Sequence, residues 1–211
     1  MEKRIFFALA LVVVCFLVGT LAYSTLPENI ATHWNLQDKA DGSMPKQIGL
    51  FLIPALGCVL IVLFKFLPNI DPMGASYAGF RRYYDEFVVV IMGFLLYLEV
   101  LIVVWNAGTI FSMGQVLAPA LAAVFYFTGR LAENTKRNWF VGIRTPWTIT
   151  SDVVWNKTNV LTGKLMKAAG IIALFGVILP SYAFGLVLVP VILAAVFGFA
   201  YSYLEYKKIK Q

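Results

Sequence analysis

The polar stretch LPENIATHWNLQDKADGSMPK, residues 26–46, holds the only histidine of the chain. An imidazole beside carboxylates is able to ligate a metal, and a tryptophan flanked by polar groups is able to recognise a ligand. A third interpretation is a folded cap, with the indole at the membrane interface and Asp-Gly forming the turn. One histidine and two carboxylates are too few to predict a metal or a cofactor. The candidate binding residues are His33, Trp34, Asn35, Asp41 and Gly42.

A second polar stretch, residues 129–167, contains GIRTPWT at residues 142–148. Proline fixes its own backbone angle, glycine allows a tight bend, and an arginine offers a planar fork to a carboxylate, a phosphate or a carbonyl. These properties suit a docking surface for a cytoplasmic protein. They equally suit a loop whose tryptophans lie at the membrane interface, with its arginine on a lipid phosphate. The candidate residues here are Asn138, Gly142, Arg144, Thr145, Pro146, Trp147, Trp155 and Lys157.

Glu99 interrupts the apolar run FVVVIMGFLLYLEVLIVVWN. An ionised carboxylate deep in a bilayer costs at least ~2.5 kcal/mol, so Glu99 is expected to be protonated or to face a polar interior. Such a residue is a functional candidate, and it supports an alternative function as a small secondary transporter or proton-coupled carrier. Its expected polar neighbours are Tyr97, Asn106, Ser112 and Gln115.

Composition identifies the elements that must hold these residues. The chain has 211 residues, of which 60% are hydrophobic and 13% are charged. Soluble domains are about 45–50% apolar and about 25% charged, so a soluble fold is excluded. We predict an all-α polytopic membrane protein, a single domain over residues 1–211 with an uncleaved first helix and a tight turn at Ala107–Gly108. The six expected spans are residues 5–22, 47–64, 87–106, 109–128, 167–179 and 182–206.

The fifth span is short as an apolar run, and it is expected to begin earlier in the chain. Thr150-Ser151-Asp152 is typical of a helix start, since hydroxyls cap free N–H groups and a carboxylate suits the positive end of the helix dipole. A helix starting there and running through Trp155 reaches the span without a break.

Basic residues predict the orientation. With the N-terminus in the cytosol, 15 of the 17 Lys and Arg residues lie on the cytoplasmic side, and the exceptions are Lys39 and Lys46. This bias predicts that both termini are cytoplasmic, that loop 23–46 is extracytoplasmic and that loop 129–167 is cytoplasmic. The protein is therefore expected in the plasma or inner membrane. Its net charge of +6 is explained by anchoring beside anionic lipid, without direct nucleic acid.

Two motifs in this order resemble a known family. NWFVGIRTPWTITSDVVWNKTNVLTGKLMKAAGI, residues 138–171, is similar to the motif of the bacterial SdpI family of small polytopic membrane proteins. LPENIATHWN, followed by Asp-Gly and Lys, resembles the short extracytoplasmic domain of unknown function that precedes it. The resemblance implies immunity and signalling. Such a protein protects the producing cell from its own secreted peptide toxin, and it relays the toxin's presence to a small cytoplasmic repressor held at the membrane.

No enzyme is predicted. The sequence has no His-Glu-x-x-His motif, no glycine-rich phosphate loop and no plausible Ser-His-Asp set. The function hypothesis is a membrane immunity and signalling protein that binds a membrane-active peptide outside and relays to a regulator inside. The transporter centred on Glu99 remains the alternative.

Overall fold

The computed structural model describes residues 2–210 and the side chains of residues 3–209. Met1 and Gln211, which the predicted domain includes, lie outside the described residues. The long helices are α1 (Glu2–Ala22), α2 (Lys46–Ile70), α3 (Arg81–Asn106), α4 (Met113–Asn134), α6 (Asp152–Leu174) and α7 (Ala183–Lys210). A short helix, α5 (Pro146–Thr150), lies between α4 and α6, and the strands β1 (Asn29–Trp34) and β2 (Ala40–Pro45) lie between α1 and α2.

Six helices are long and apolar enough to cross a bilayer. This confirms the predicted all-α polytopic membrane protein, to which the structure adds a small two-stranded sheet. The helices form two groups, because α1, α2 and α3 pack against one another, as do α4, α6 and α7. Helices α3 and α4 join the groups.

The connections lie at two ends of the bundle. The "hairpin end" comprises β1, β2 and residues 107–112 and 175–182. The "motif end" comprises the start of α1, the end of α7 and residues 71–80 and 135–151. Each end therefore carries one of the two polar stretches noted in the sequence.

The predicted turn at Ala107–Gly108 is present, and Gly108 adopts a φ of +104° there. The predicted start of the fourth span at residue 109 is wrong, because α3 ends at Asn106, α4 begins only at Met113, and residues 107–112 connect them. Ser112 sets the later start because its hydroxyl accepts a hydrogen bond from the Gln115 N–H at 3.1 Å. The fifth span does begin earlier, as predicted. Ser151 caps α6 by accepting from the Val154 N–H at 3.4 Å.

Helices α4 and α6 approach each other closely at two glycines. A Cβ on Gly163 would lie only 2.6 Å from the Gly129 carbonyl oxygen, so neither position has room for a larger residue. One turn away, Lys167 pairs with Glu133 at 2.7 Å across the same contact. This contact packs α6 closely against α4, the two long helices that flank the connection carrying GIRTPWT.

Candidate functional site

The polar stretch at the hairpin end folds as an antiparallel β-hairpin. Its turn is at residues 35–39, where the Asn35 side-chain oxygen accepts from the N–H groups of Gln37 (3.0 Å) and Lys39 (3.1 Å). Asp38 adopts a φ of +59°, a conformation that Asp and Asn tolerate better than most residues. The predicted turn at Asp41-Gly42 is therefore wrong, because both residues lie in β2.

His33 and Asp41 form an exposed pair across the hairpin. The His33 Nδ1 and Asp41 Oδ1 atoms are 2.5 Å apart, and the His33 side chain is 71% exposed. Gly42 lies opposite His33, and a Cβ at Gly42 would come within 2.9 Å of the His33 Cβ. Glycine is required there by this close approach. Within the described residues no group of three or more His, Cys, Asp or Glu side chains is placed to hold a metal.

Two residues outside the list of candidate binding residues, Asp38 and Asn106, hold the hairpin on the bundle. The Asp38 carboxylate accepts from the Ser112 hydroxyl and from the Gly114 N–H, the latter at 2.8 Å, so it lies on the N-terminus of α4. The Asn106 side chain accepts from the Ala31 N–H at 2.8 Å and donates to the Ala31 carbonyl at 3.0 Å. These contacts hold β1 on the end of α3.

A cavity of about 300 Å³ lies beneath the hairpin, between the two helix groups. Its walls come from α2, α3, α4 and α7, and the strands β1 and β2 cover it on the side of the hairpin. Trp34 lines the cavity and packs edge-on against Trp105, with ring centroids 5.3 Å apart. Its buried indole N–H donates to no group of the described residues. The lining is mostly apolar: Thr32, His33, Trp34, Met44, Gly49, Leu52, Ile53, Leu98, Ile102, Met113, Leu117 and Phe184.

Asn138 organises the connection at the motif end. Its side chain is fully buried, and its oxygen accepts from the N–H groups of Phe140 (2.9 Å) and Val141 (2.7 Å). Its amide donates to the carbonyls of Lys136 (2.7 Å) and Val141 (2.9 Å). This one side chain bonds to four backbone groups of the connection, of which the two carbonyls also accept from the Thr135 hydroxyl.

Gly142 and Asn159 form the bend before the motif. Gly142 has a φ of +114°, and a Cβ there would lie 2.6 Å from the Asn159 side-chain oxygen. That oxygen accepts from the Ile143 N–H at 2.7 Å. The bend thus needs glycine both for its backbone angle and for its space.

Thr145 caps α5, and Pro146 occupies its first turn. Thr145 and Thr148 form a capping box, and the buried Thr145 hydroxyl also donates to Ser202 of α7 at 3.0 Å. Trp147 packs on Phe199, with ring centroids 5.5 Å apart. The contacts of Thr145 with Ser202 and of Trp147 with Phe199 therefore hold α5 against α7.

The two remaining candidates on α6 are also anchored. Trp155 is fully buried, and its indole donates to the Thr135 carbonyl at 3.2 Å. Lys157 pairs with Glu205 of α7 at 2.7 Å. Trp155 therefore does not lie at a membrane interface, and Lys157 is held by its ion pair.

Arg144 is exposed, unlike the buried Thr145 that follows it. Its guanidinium donates to the Trp139 carbonyl at 2.7 Å. Trp139 is 46% exposed and Phe140 is 38% exposed. We call Trp139, Phe140 and Arg144 the motif-end surface.

Asp71 ties the motif-end surface to the end of α2. Its carboxylate accepts from the Trp139 N–H at 3.0 Å and from the Met73 N–H at 2.7 Å. Burial, reinforced by the Asp71 carboxylate, raises the pKa of Tyr77 above its usual range. Tyr77 therefore stays protonated and donates to Asn138 at 3.5 Å.

Glu99 is fully buried, and neither carboxylate oxygen bonds to a group of the described residues. None of its four expected neighbours reaches it in a hydrogen bond. Asn106 and Ser112 bond at the hairpin, while Tyr97 donates to the Val116 carbonyl and Gln115 to the Val177 carbonyl.

Glu99 lies instead near the close approach of α1 to α2. A Cβ on Gly19 would lie 3.2 Å from a Glu99 oxygen and 2.9 Å from the Leu50 carbonyl oxygen. Pro54 has no N–H to give that carbonyl, which is four residues before it. The Glu99 carboxyl and this carbonyl, which lacks its helical donor, thus both lie near Gly19.

The fold, the six spans and the extramembrane hairpin define a multi-pass protein of the cell membrane. Residues 134–202 match the SdpI/YfhL protein family, and residues 10–58 match a domain of unknown function, DUF1648. The chain is 25% identical over 212 residues to "Immunity protein SdpI" of Bacillus subtilis (strain 168), covering 99% of this chain and 98% of the relative. These matches confirm the resemblance of this chain to SdpI-like proteins and to the N-terminal domain that accompanies them. No solved structure gives a significant match.

The matched segments coincide with the two candidate regions. The first includes the hairpin and the start of α2, and the second includes the motif, α6 and part of α7. The name of that relative describes it as an immunity protein.

Proposed function

We propose that this chain is a membrane immunity protein that binds a membrane-active peptide in the cavity beneath the hairpin. The observation that carries the proposal is the nearly full-length similarity to an immunity protein, in a chain with an apolar cavity at the hairpin end. A membrane-active peptide must carry apolar side chains, which suit the cavity walls.

Polar recognition is assigned to the rim of the same cavity. His33 lines it, and the exposed His33–Asp41 pair offers a donor and an acceptor to a peptide approaching from water. Asn35 and Gly42 then act indirectly, since Asn35 builds the turn and Gly42 makes room for the imidazole.

The motif-end surface is the proposed contact for a cytoplasmic regulator. Exposed aromatic rings beside a guanidinium are typical of protein interfaces. The buried motif residues, Asn138 and Thr145 among them, hold that surface in shape. Relay is proposed to pass through α6 and α7, to which α5 is clamped.

The experiment that tests the proposal is a protection assay. A Bacillus subtilis strain lacking its own SdpI-type proteins is made to express this chain and is exposed to membrane-active peptide purified from a producing strain. Expressing cells should survive concentrations about tenfold higher than cells with an empty vector. Equal killing, with the protein present in the membrane, would contradict the proposal.

The proposed sidedness is tested by cysteine labelling. In a background without Cys15 and Cys58, a cysteine replacing the exposed Ala40 should react with an impermeant thiol reagent in intact cells. A cysteine replacing the exposed Thr150 should react only after the cells are opened. The basis is the predicted distribution of basic residues, in which 15 of 17 lie on the cytoplasmic side and the exceptions are Lys39 and Lys46. The opposite labelling pattern would exchange the sensing and relaying ends.

A second candidate function is a proton-coupled carrier that uses Glu99. The observation in its favour is the fully buried carboxyl without a hydrogen-bond partner among the described residues. Against it, Leu98 and Ile102 line the hairpin cavity, whereas Glu99 between them does not.

Glu99→Gln separates the two functions, since glutamine keeps the shape of the side chain and cannot titrate. Purified wild type and variant are reconstituted in proteoliposomes, and pH-coupled solute uptake is measured. We expect no specific flux from either protein and full protection of cells by both. A wild-type flux that disappears in the variant would instead establish the carrier.

A further inference from the structure

A second cavity, of about 450 Å³, lies at the motif end between α1, α3 and α4. It is far from the hairpin, and the proposed immunity function does not use it. One wall of this cavity is charged, and the other wall is apolar. The lining residues are Lys3, Arg4, Phe7, Glu86, Val89, Val90, Phe127 and Arg130.

The charged wall is a cluster of three guanidinium groups around one carboxylate. Glu86 pairs with Arg82 at 3.0 Å, with Arg130 at 3.2 Å and with Arg4 at 3.5 Å. Lys3 adds a fourth positive charge to the same wall. A single carboxylate neutralises one of these charges, so the cluster retains an excess of positive charge at the membrane boundary.

The arrangement leaves the cations accessible and the anion covered. The Glu86 side chain is only 16% exposed, whereas those of Arg130 and Arg4 are 31% and 41% exposed. The Arg130 guanidinium is held over the rings of Phe127 (5.4 Å) and Tyr83 (5.7 Å). Its orientation is thereby restricted, which favours planar, bidentate recognition of a phosphate.

The apolar wall continues from the cluster into the membrane-spanning parts of the helices. Phe7 belongs to α1, Val89 and Val90 to α3, and Phe127 to α4, all within candidate spans. Phe7 is 55% exposed. A ligand that fits both walls has an anionic head and an apolar tail.

We propose that this cavity binds an anionic phospholipid from the surrounding leaflet. The lipid phosphate lies against Arg4 and Arg130, and one acyl chain lies along Phe7, Val90 and Phe127. Basic pockets between membrane helices are established sites for anionic headgroups. Because α1 and α4 belong to different helix groups, a bound lipid links the two groups at the motif end.

The test uses the full-length protein in detergent micelles and native mass spectrometry with added lipid. Dioleoyl-phosphatidylglycerol and dioleoyl-phosphatidylcholine have the same chains, so their affinity ratio reports on the headgroup. We expect a ratio of roughly tenfold or more in favour of phosphatidylglycerol, from two guanidinium contacts. Equal affinities would overturn the proposal.

Matched variants separate this site from general surface charge. Arg4→Gln with Arg130→Gln should bring the ratio close to one. Lys164→Gln with Lys207→Gln removes the same charge from residues that do not line this cavity, and it should keep the ratio. If both double variants lose the preference equally, the binding is nonspecific and the proposal is wrong.

The acyl-chain contact is tested without changing any charge. Val90→Trp fills the apolar wall and should weaken phosphatidylglycerol binding several-fold. Glycerophosphoglycerol, which has the headgroup and no chains, should bind far more weakly than the whole lipid. Comparable binding of this soluble headgroup would indicate a site for free phosphate esters and would overturn the assignment to a lipid.

Discussion

Asn138→Ala should lower the free energy of unfolding by about 3–5 kcal/mol. The asparagine is fully buried and serves the N–H groups of Phe140 and Val141 and the carbonyls of Lys136 and Val141. Alanine leaves the two N–H groups without a partner, and it leaves the two carbonyls only the Thr135 hydroxyl, at 3.2 and 3.4 Å. Each buried group that loses its hydrogen bond costs about 1–3 kcal/mol, and water entering the space left by the side chain offsets part of this.

Denaturant unfolding of the purified protein in micelles measures the effect, and Asn134→Ala is the matched control. The Asn134 side chain makes one hydrogen bond, to the Arg130 carbonyl at 2.8 Å, and is half-buried. Its removal should cost about 1 kcal/mol or less. Asn138→Asp should also be strongly destabilising, because a carboxylate oxygen would face two carbonyls. Equal stabilities for Asn138→Ala and Asn134→Ala would refute the role assigned to Asn138.

The second large effect is expected at Leu52 on α2. Leu52 lines the hairpin cavity and is 52% exposed, so a tryptophan there has room to enter the cavity without disturbing the packed core. Leu52→Trp should abolish protection and lower the killing concentration of the peptide about tenfold, which corresponds to about 1.4 kcal/mol of binding free energy.

Leu56→Trp is the control for this change. Leu56 lies one helical turn further along the same face, is 45% exposed and does not line the cavity. This variant should protect cells as well as the wild type does, at the same membrane level. Loss of protection in both variants would point to a general effect of tryptophan on α2 and would remove the cavity from the mechanism.

The six spans were predictable because a bilayer demands long apolar helices, which composition reveals. The start of α6 was predictable as well, since the cap at Ser151 is a local signal. The hairpin was not. Its polar strand NIATHW has no clear apolar alternation, and contacts with Asn106 on α3 and Ser112 before α4 hold it in place.

The candidate sites divide in the same way. Sequence identified the polar stretch around His33, but the partner of His33 and the cavity beside it depend on strand pairing and on four helices. In GIRTPWT the residue types indicated a bend, but they did not indicate α5, and the contact of Thr145 with Ser202, 57 positions away, depends on the packing of α7. Glu99 was correctly selected as unusual, yet its neighbours were wrong because helix rotation is not encoded in the apolar run.

Site-specific photo-crosslinking tests the central claim, that the peptide binds beneath the hairpin. A benzophenone amino acid replaces Met44, which lines the cavity, Leu36, which is 68% exposed at the hairpin turn, or Phe140 at the motif end. With labelled peptide in intact cells, Met44 should give a crosslinked product that unlabelled peptide abolishes, and the other two positions should give little or none. Protection of cells without a crosslink at Met44, or a stronger crosslink at Leu36 or Phe140, would contradict the account.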